Sequence, residues 1–144
     1  MIPQRKLVVF AEFTGAYLWV KPANDYTSQV GANIGGTSYP LAEKYGISVA
    51  LQADFQAWIS KWEITVLPRV EYKYEEIAPR AFWTEIYEEG LSLARRLKAE
   101  VGDQFEVEYN PTWEDPEKDA PDGLIIGILS DGSLQTYQPT ASNP

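Results

Sequence analysis

Two residue types are missing from this 144-residue chain altogether: it has no cysteine and no histidine. Without cysteine there are no disulfides, no thiolate nucleophile and no cysteine-bound metal. Without histidine there are no imidazole ligands, no Ser-His-Asp relay and no ordinary general base near neutral pH. Basic residues are scarce in one region only. Residues 1–99 hold eleven acids and eleven bases, whereas residues 100–144 hold ten acids with Lys118 as the single base, so the net charge of −9 arises in the last third. Nucleic acid and anionic membrane surfaces both reward clustered Lys and Arg, so neither is an expected partner. A basic protein would be drawn to this end of the chain. No apolar run approaches the roughly 20 residues of a membrane span. No positively charged apolar leader opens the sequence either, and the expectation is a cytoplasmic protein.

What the chain does have is aromatic bulk, with five Trp, nine Tyr and five Phe for a core. Its length suits a single domain over residues 1–144, with a polar, frayed tail at 138–144. The stretch 79–109 organises the rest. Pro79 suits a helix entrance. Phe82, Ile86, Gly90, Leu93, Ala94 and Leu97 then recur at three- and four-residue steps as one apolar stripe. Arg95, Arg96 and Lys98 complement the negative end of the macrodipole. Gly102 is placed for the left-handed residue that ends a helix. Beyond it the period becomes two, with Phe105, Val107 and Tyr109 alternating with Glu106 and Glu108, which predicts a strand with one apolar and one acidic face.

Residues 6–12 read as a strand apolar on both faces, and Thr14-Gly15 as a turn into a second strand at 16–21. Residues 22–46 are rich in Gly, Pro and Asn; a loop this long either performs a function or hides a short element. The run Gly31 to Thr37 lacks the Lys-Ser/Thr that a phosphate loop requires. Ser48 is an N-cap for a helix to about Glu63, with Leu51, Phe55, Trp58, Ile59 and Trp62 forming its apolar stripe. That stripe is expected to pack on the 82–97 stripe or on the sheet beside it, and Gly90 to let the two helix backbones approach closely. Pro68 is expected to stop the helix, and 70–74 to form a short edge strand or a loop. Residues 111–123, with three prolines and five carboxylates, read as an extended exposed loop. Residues 124–129 and 134–137 read as strands joined by a turn at Ser130-Asp131-Gly132-Ser133.

Chemistry-bearing patterns are few. Asp115, Glu117, Asp119 and Asp122 imitate a calcium loop, but the sixth position is Ala120 rather than Gly and the twelfth is Ile126 rather than Glu. No catalytic, cofactor or metal-ligating set is assigned. Two carboxylates can carry out glycosidase-type hydrolysis without histidine, yet sequence spacing does not report a distance across a cleft. There remains an acidic, aromatic surface: Asp103, Glu106, Glu108, Tyr109, Trp113, Glu114, Asp115, Glu117, Asp119 and Asp122. Charges there would steer a basic protein and rings would anchor it.

Leu51, Phe55, Trp58 and Trp62-Glu63 in the first helix form one part of a recurring pattern. Phe82 or Trp83, then Glu89-Gly90-x-x-Leu93-Ala94-x-x-Leu97, and Val107-x-Tyr109 complete it. Over residues 45–110 the pattern resembles the small immunity proteins of bacterial polymorphic-toxin systems, including those of contact-dependent growth inhibition. The resemblance implies a cytoplasmic antitoxin that binds and blocks one cognate toxin domain without chemistry of its own. Many such toxins are nucleases with basic substrate grooves, which would match the acidic C-terminal third. The expected fold is α+β: an antiparallel or mixed sheet with two long amphipathic helices packed on it. A carboxylate-dependent hydrolase with a cleft near residues 22–46, and a non-catalytic adaptor subunit, are the alternatives. The sequence leaves the oligomeric state open.

Overall fold

A computed structural model describes residues 3–12, 15–27, 29–36, 42–71, 80–111 and 124–139. Among these residues six strands form one sheet: β1 (Arg5–Glu12), β2 (Ala16–Pro22), β3 (Ala32–Gly36), β4 (Glu106–Tyr109), β5 (Ile125–Ile128) and β6 (Leu134–Tyr137). Two helices, α1 (Val49–Glu71) and α2 (Arg80–Val101), lie between β3 and β4 in the chain. The sheet order is β3-β2-β1-β4-β5-β6. β1 and β4 are parallel, and every other neighbouring pair is antiparallel. The fold is therefore α+β with a mixed sheet, whose two halves are meanders joined by the helices.

Alternation decides which side chains meet the helices. Leu7 and Val9 of β1, Val107 and Tyr109 of β4, and Ile126 and Ile128 of β5 join the core, together with Leu51, Phe55, Trp58, Ile59 and Trp62 of α1 and Ile86, Leu93, Ala94 and Leu97 of α2. Burying each large apolar side chain contributes about 1.5–3 kcal/mol. Phe55 stacks on Tyr17 with ring centroids 5.0 Å apart. The Trp58 indole N–H donates to the Ile86 carbonyl at 3.0 Å, tying α1 to α2. The first helix thus packs on both its partner helix and the sheet. Val8, Phe10 and Ile125, on the face away from this core, are buried as well.

The helix ends follow their local chemistry. The Leu51 N–H donates to Ser48 Oγ at 3.1 Å, an N-cap contact, and Glu100 accepts from the Ser48 N–H and hydroxyl. At the far end of α2, Gly102 has φ +58°, the left-handed conformation that glycine adopts without steric cost. The Lys98 ammonium donates to the Gly102 and Phe105 carbonyls at 2.9 and 2.8 Å, satisfying acceptors that the helix cannot.

Several expectations are corrected. Helix α1 runs through Pro68 to Glu71, so Val70 and Glu71 are helical rather than part of an edge strand. A proline so close to the terminus forfeits one ladder bond and leaves only the last residues to follow. The surface of α1 is less regular than its stripe: Val49 and Ile64 are 72% and 76% exposed while Gln52 is buried. Residues 22–46 hide a strand, β3, and a 3-10 turn, Ala42–Tyr45. The Gly31 to Thr37 run supplies that strand, which pairs with β2. Gly90 admits side chains rather than a helix backbone. A Cβ there would lie 2.7 Å from Tyr109 Cζ and 2.8 Å from Trp58 Cζ2. Pro79, residues 72–74, residues 112–123 and the end of the tail lie outside the described residues.

Gly90→Ala is expected to destabilise the protein by about 1–3 kcal/mol through overpacking, although alanine is the better helix former by roughly 1 kcal/mol. Urea unfolding reads the loss, and a rise in midpoint would contradict the contact. Tyr109 supplies a second test. Burial raises its hydroxyl well above the ordinary tyrosine range. The folded form therefore keeps a proton that the unfolded chain releases above about pH 10. Stability is intact below that value and falls above it, with this residue contributing up to about 1.4 kcal/mol per pH unit. Tyr109→Phe is expected to flatten the decline in alkaline urea titrations.

Candidate functional site

The face of the sheet turned away from the helices carries the polar chemistry. Lys6 is the register partner of Lys21 on one side and of Glu106 on the other. Two residues further along β4, Glu108 shares that face. Lys6 Nζ donates to Glu108 Oε2 at 2.9 Å, with both side chains almost entirely shielded from water. The Tyr137 hydroxyl donates to the same oxygen at 2.6 Å. Lys6 Nζ also reaches the Tyr137 oxygen at 3.4 Å and stands 4.3 Å from the centroid of the Tyr26 ring. Tyr26 and Tyr137 meet edge to face at 5.3 Å. A buried ion pair is costly to desolvate, and these hydroxyl and ring contacts are what offset that cost.

Beside it, the Lys21 ammonium donates to the Thr27 and Gln29 carbonyls at 3.2 and 2.6 Å and lies 3.7 Å from Asp25. Burial lowers its pKa, and Asp25 works against that shift. The Asp25 carboxyl is held below its usual range by the Thr27 hydroxyl and N–H, which both donate to it. Burial and the bond to Glu108 push the Tyr137 hydroxyl upward, so it remains a proton donor to that carboxylate. These contacts hold Asp25, Thr27 and Gln29 against the sheet.

Next to the network an open cleft of about 620 Å³ runs over β4, β5 and β6. Tyr26 and Tyr137 stand along it, Gly127 and Gln135 line it, and Asp103, Glu106 and Glu108 bring carboxylates. Lys98, whose ammonium is engaged by the Gly102 and Phe105 carbonyls, also borders it. Gly127 keeps the floor low, because a Cβ there would sit 3.1 Å from the Gln135 carbonyl oxygen. Asp103 is exposed and accepts a long 3.4 Å bond from the Ser130 hydroxyl. Glu106 is half-buried and has no ion-pair partner among the described residues. Such a cleft offers negative charge and ring faces together, the surroundings in which a guanidinium or ammonium group is held. Among the described residues no cluster of three or more carboxylates could hold a metal ion.

Of the sequence-derived surface, Asp103, Glu106 and Glu108 line the cleft, while the exposure expected of Glu108 and Tyr109 is corrected. Glu108 is 5% exposed and neutralised by Lys6. Tyr109 is 0% exposed and belongs to the core, donating to the Tyr87 carbonyl at 3.2 Å. Alternation identifies which residues share a face; it does not say whether that face is covered. Trp113, Glu114, Asp115, Glu117, Asp119 and Asp122 lie outside the described residues, on the connection between β4 and β5. Lys6, Tyr26 and Tyr137 were missed. A lysine opening an apolar run was a signal for Lys6, but its partner lies 102 positions away and nothing local names it.

No protein-family model, curated protein or solved structure matches the chain. Trp58, Gly90 and Tyr109 meet at one point, and Leu51, Phe55, Trp62, Leu93, Ala94, Leu97 and Val107 surround it in one cluster. Among the described residues no helix is long and apolar enough to cross a membrane.

Lys6→Met is expected to cost about 3–5 kcal/mol, because it leaves a buried carboxylate without its counter-charge. Combining it with Glu108→Leu is expected to cost clearly less than the sum of the two single changes. Thermal and urea unfolding of the four proteins read the coupling, and strict additivity would show that the pair contributes nothing jointly.

Proposed function

We propose that this protein is an inhibitor of the immunity type, which binds one cognate toxin domain and blocks it without making or breaking bonds. The partner is a basic protein, a nuclease by the charge argument, and the cleft face is where it docks. The observation that carries this reading is the open cleft, which sets the carboxylates of Asp103 and Glu106 beside Tyr26 and Tyr137. The connection between β4 and β5, outside the described residues, holds five further carboxylates in sequence. Carboxylates arranged over such a face can take positions that phosphates occupy on a nuclease, and aromatic anchors then slow dissociation. Action in the cytoplasm, where an incoming toxin would meet its substrate, belongs to the same proposal.

A hydrolase requires two carboxylates facing each other across a pocket. Of the carboxylates lining the cleft, Glu106 and Glu108 rise from one strand, and Glu108 is held by Lys6 and Tyr137. Asp103 lies exposed just before that strand beside the Ser130 hydroxyl, so among the described residues no opposed pair faces across an enclosed pocket. An adaptor subunit would present a broad apolar patch. The large apolar residues exposed among those described are Tyr26, Val49, Ile64, Leu129 and Leu134, of which only the last two flank a common turn. Both alternatives are therefore less well supported than the inhibitor.

Co-expression with the basic toxin domain encoded beside its gene is expected to restore growth, and the two proteins are expected to co-purify. Asp103→Lys with Glu106→Lys should lower the association rate about tenfold at low salt, with the difference shrinking as salt is added. Stopped-flow or surface-based kinetics read this. Unchanged kinetics would remove the charge argument, and turnover of a substrate by the purified chain would remove the inhibitor.

A further inference from the structure

Among the described residues strand β6 ends the sheet, with no neighbour on its outer side in the strand order. The Leu129 N–H donates to the Ser133 carbonyl at 2.9 Å, which sets the phase of the β5–β6 ladder. In an antiparallel ladder hydrogen-bonded pairs recur at every second residue. Gln135 and Tyr137 therefore bond to Gly127 and Ile125, their register partners, while Leu134 and Thr136 turn their N–H and C=O groups outward. Edges of this kind are normally guarded by lysine, proline or a bulge. Residues 133–137 contain none of the charged residues and no proline, and the β5–β6 pairing runs without a shift. Leu134 is 40% exposed and Leu129, across the turn, 43%.

We propose that β6 is a strand-addition site, and that its occupant is an extended, basic segment of the partner protein. This deepens the inhibitor reading and rests on it. The segment's main chain pairs with Leu134 and Thr136. Its side chains on the helix side cover Leu134. Those on the other side point over Gln135 and Tyr137 toward the cleft, where long cationic side chains reach into the field of Asp103 and Glu106. Charge complementarity selects this occupant over a second copy. Each chain carries −9, and pairing two β6 edges would set two acidic clefts beside one another.

The test uses the whole protein and three synthetic peptides of about ten residues: alternating Lys and Val, the same with alternate backbone N-methylation, and the same with Glu for Lys. The Lys peptide is expected to slow amide exchange at Leu134 and Thr136. The N-methylated and Glu peptides are expected to bind about tenfold or more weakly, as loss of main-chain bonds or of charge attraction requires. Thr136→Pro should weaken the Lys peptide equally while leaving the fold intact, because the Thr136 N–H faces away from β5. Unprotected amides, equal binding by the N-methylated peptide, or a dimer in which those amides are already protected would each overturn the proposal. If Thr136→Pro leaves toxin capture unchanged while Asp103→Lys and Glu106→Lys weaken it, the strand-addition site is wrong and the inhibitor stands. If neither change affects capture, the strand-addition site and the charge argument both fall; if the wild-type protein captures no toxin, the inhibitor reading falls with them.

Discussion

The contact of Tyr109 and Trp58 with the bare backbone of Gly90 is the constraint on which the architecture depends. It joins the three elements that must agree: α1 brings the indole, β4 the phenol, and α2 the gap that receives both. The sequence tolerates a helix-weakening glycine there because the rings occupy the space a side chain would take. The Trp58 indole and the Tyr109 hydroxyl both end on carbonyls of α2, at Ile86 and Tyr87. The polar ends of two buried aromatics are thus satisfied by the helix they pack on. Shape and hydrogen bonding specify the same docking of helices on sheet.

With the helices fixed on one face, the other face is left to polar chemistry. Lys6 and Glu108 sit on the two strands that are parallel neighbours at the centre of the sheet. Tyr137 reaches their ion pair from the edge strand β6 and Tyr26 from the segment after β2. The pair therefore gathers the two meanders and the 22–29 segment at one point. Glu108 is held in that network, whereas Asp103 is exposed and Glu106 half-buried along the cleft. Strand β4 is thus core on one face and, on the other, part ion-pair network and part cleft wall.

Much of the fold was legible because its signals are local. The 3.6-residue stripe of α2, the Gly102 stop, the alternation of β4, the Ser48 cap and the 130–133 hairpin each depend on neighbours within a few positions. The failures were also local in origin. Pro68 reads as a helix end because proline usually is one. The strand at 32–36 was hidden because Gly35 and Gly36 have weak strand preference, and pairing with β2 overrode it. Of the candidate surface, charge singled out Asp103 and Glu106, which line the cleft. Glu108 and Tyr109 were misjudged because burial is a property of what covers a face.

Composition by itself removed thiol and imidazole chemistry and located the acidic imbalance after residue 100, since those are counts that no folding can alter. Periodicity by itself drew the helices and most strands, since backbone geometry repeats every few residues. Only the tertiary structure decided that β1 and β4 lie parallel at the centre of the sheet, that Lys6 neutralises Glu108 across 102 positions, and that β6 is left at an edge. Those outcomes depend on which distant segments share a neighbourhood, and that is settled by packing the whole chain around one core rather than by any stretch of it.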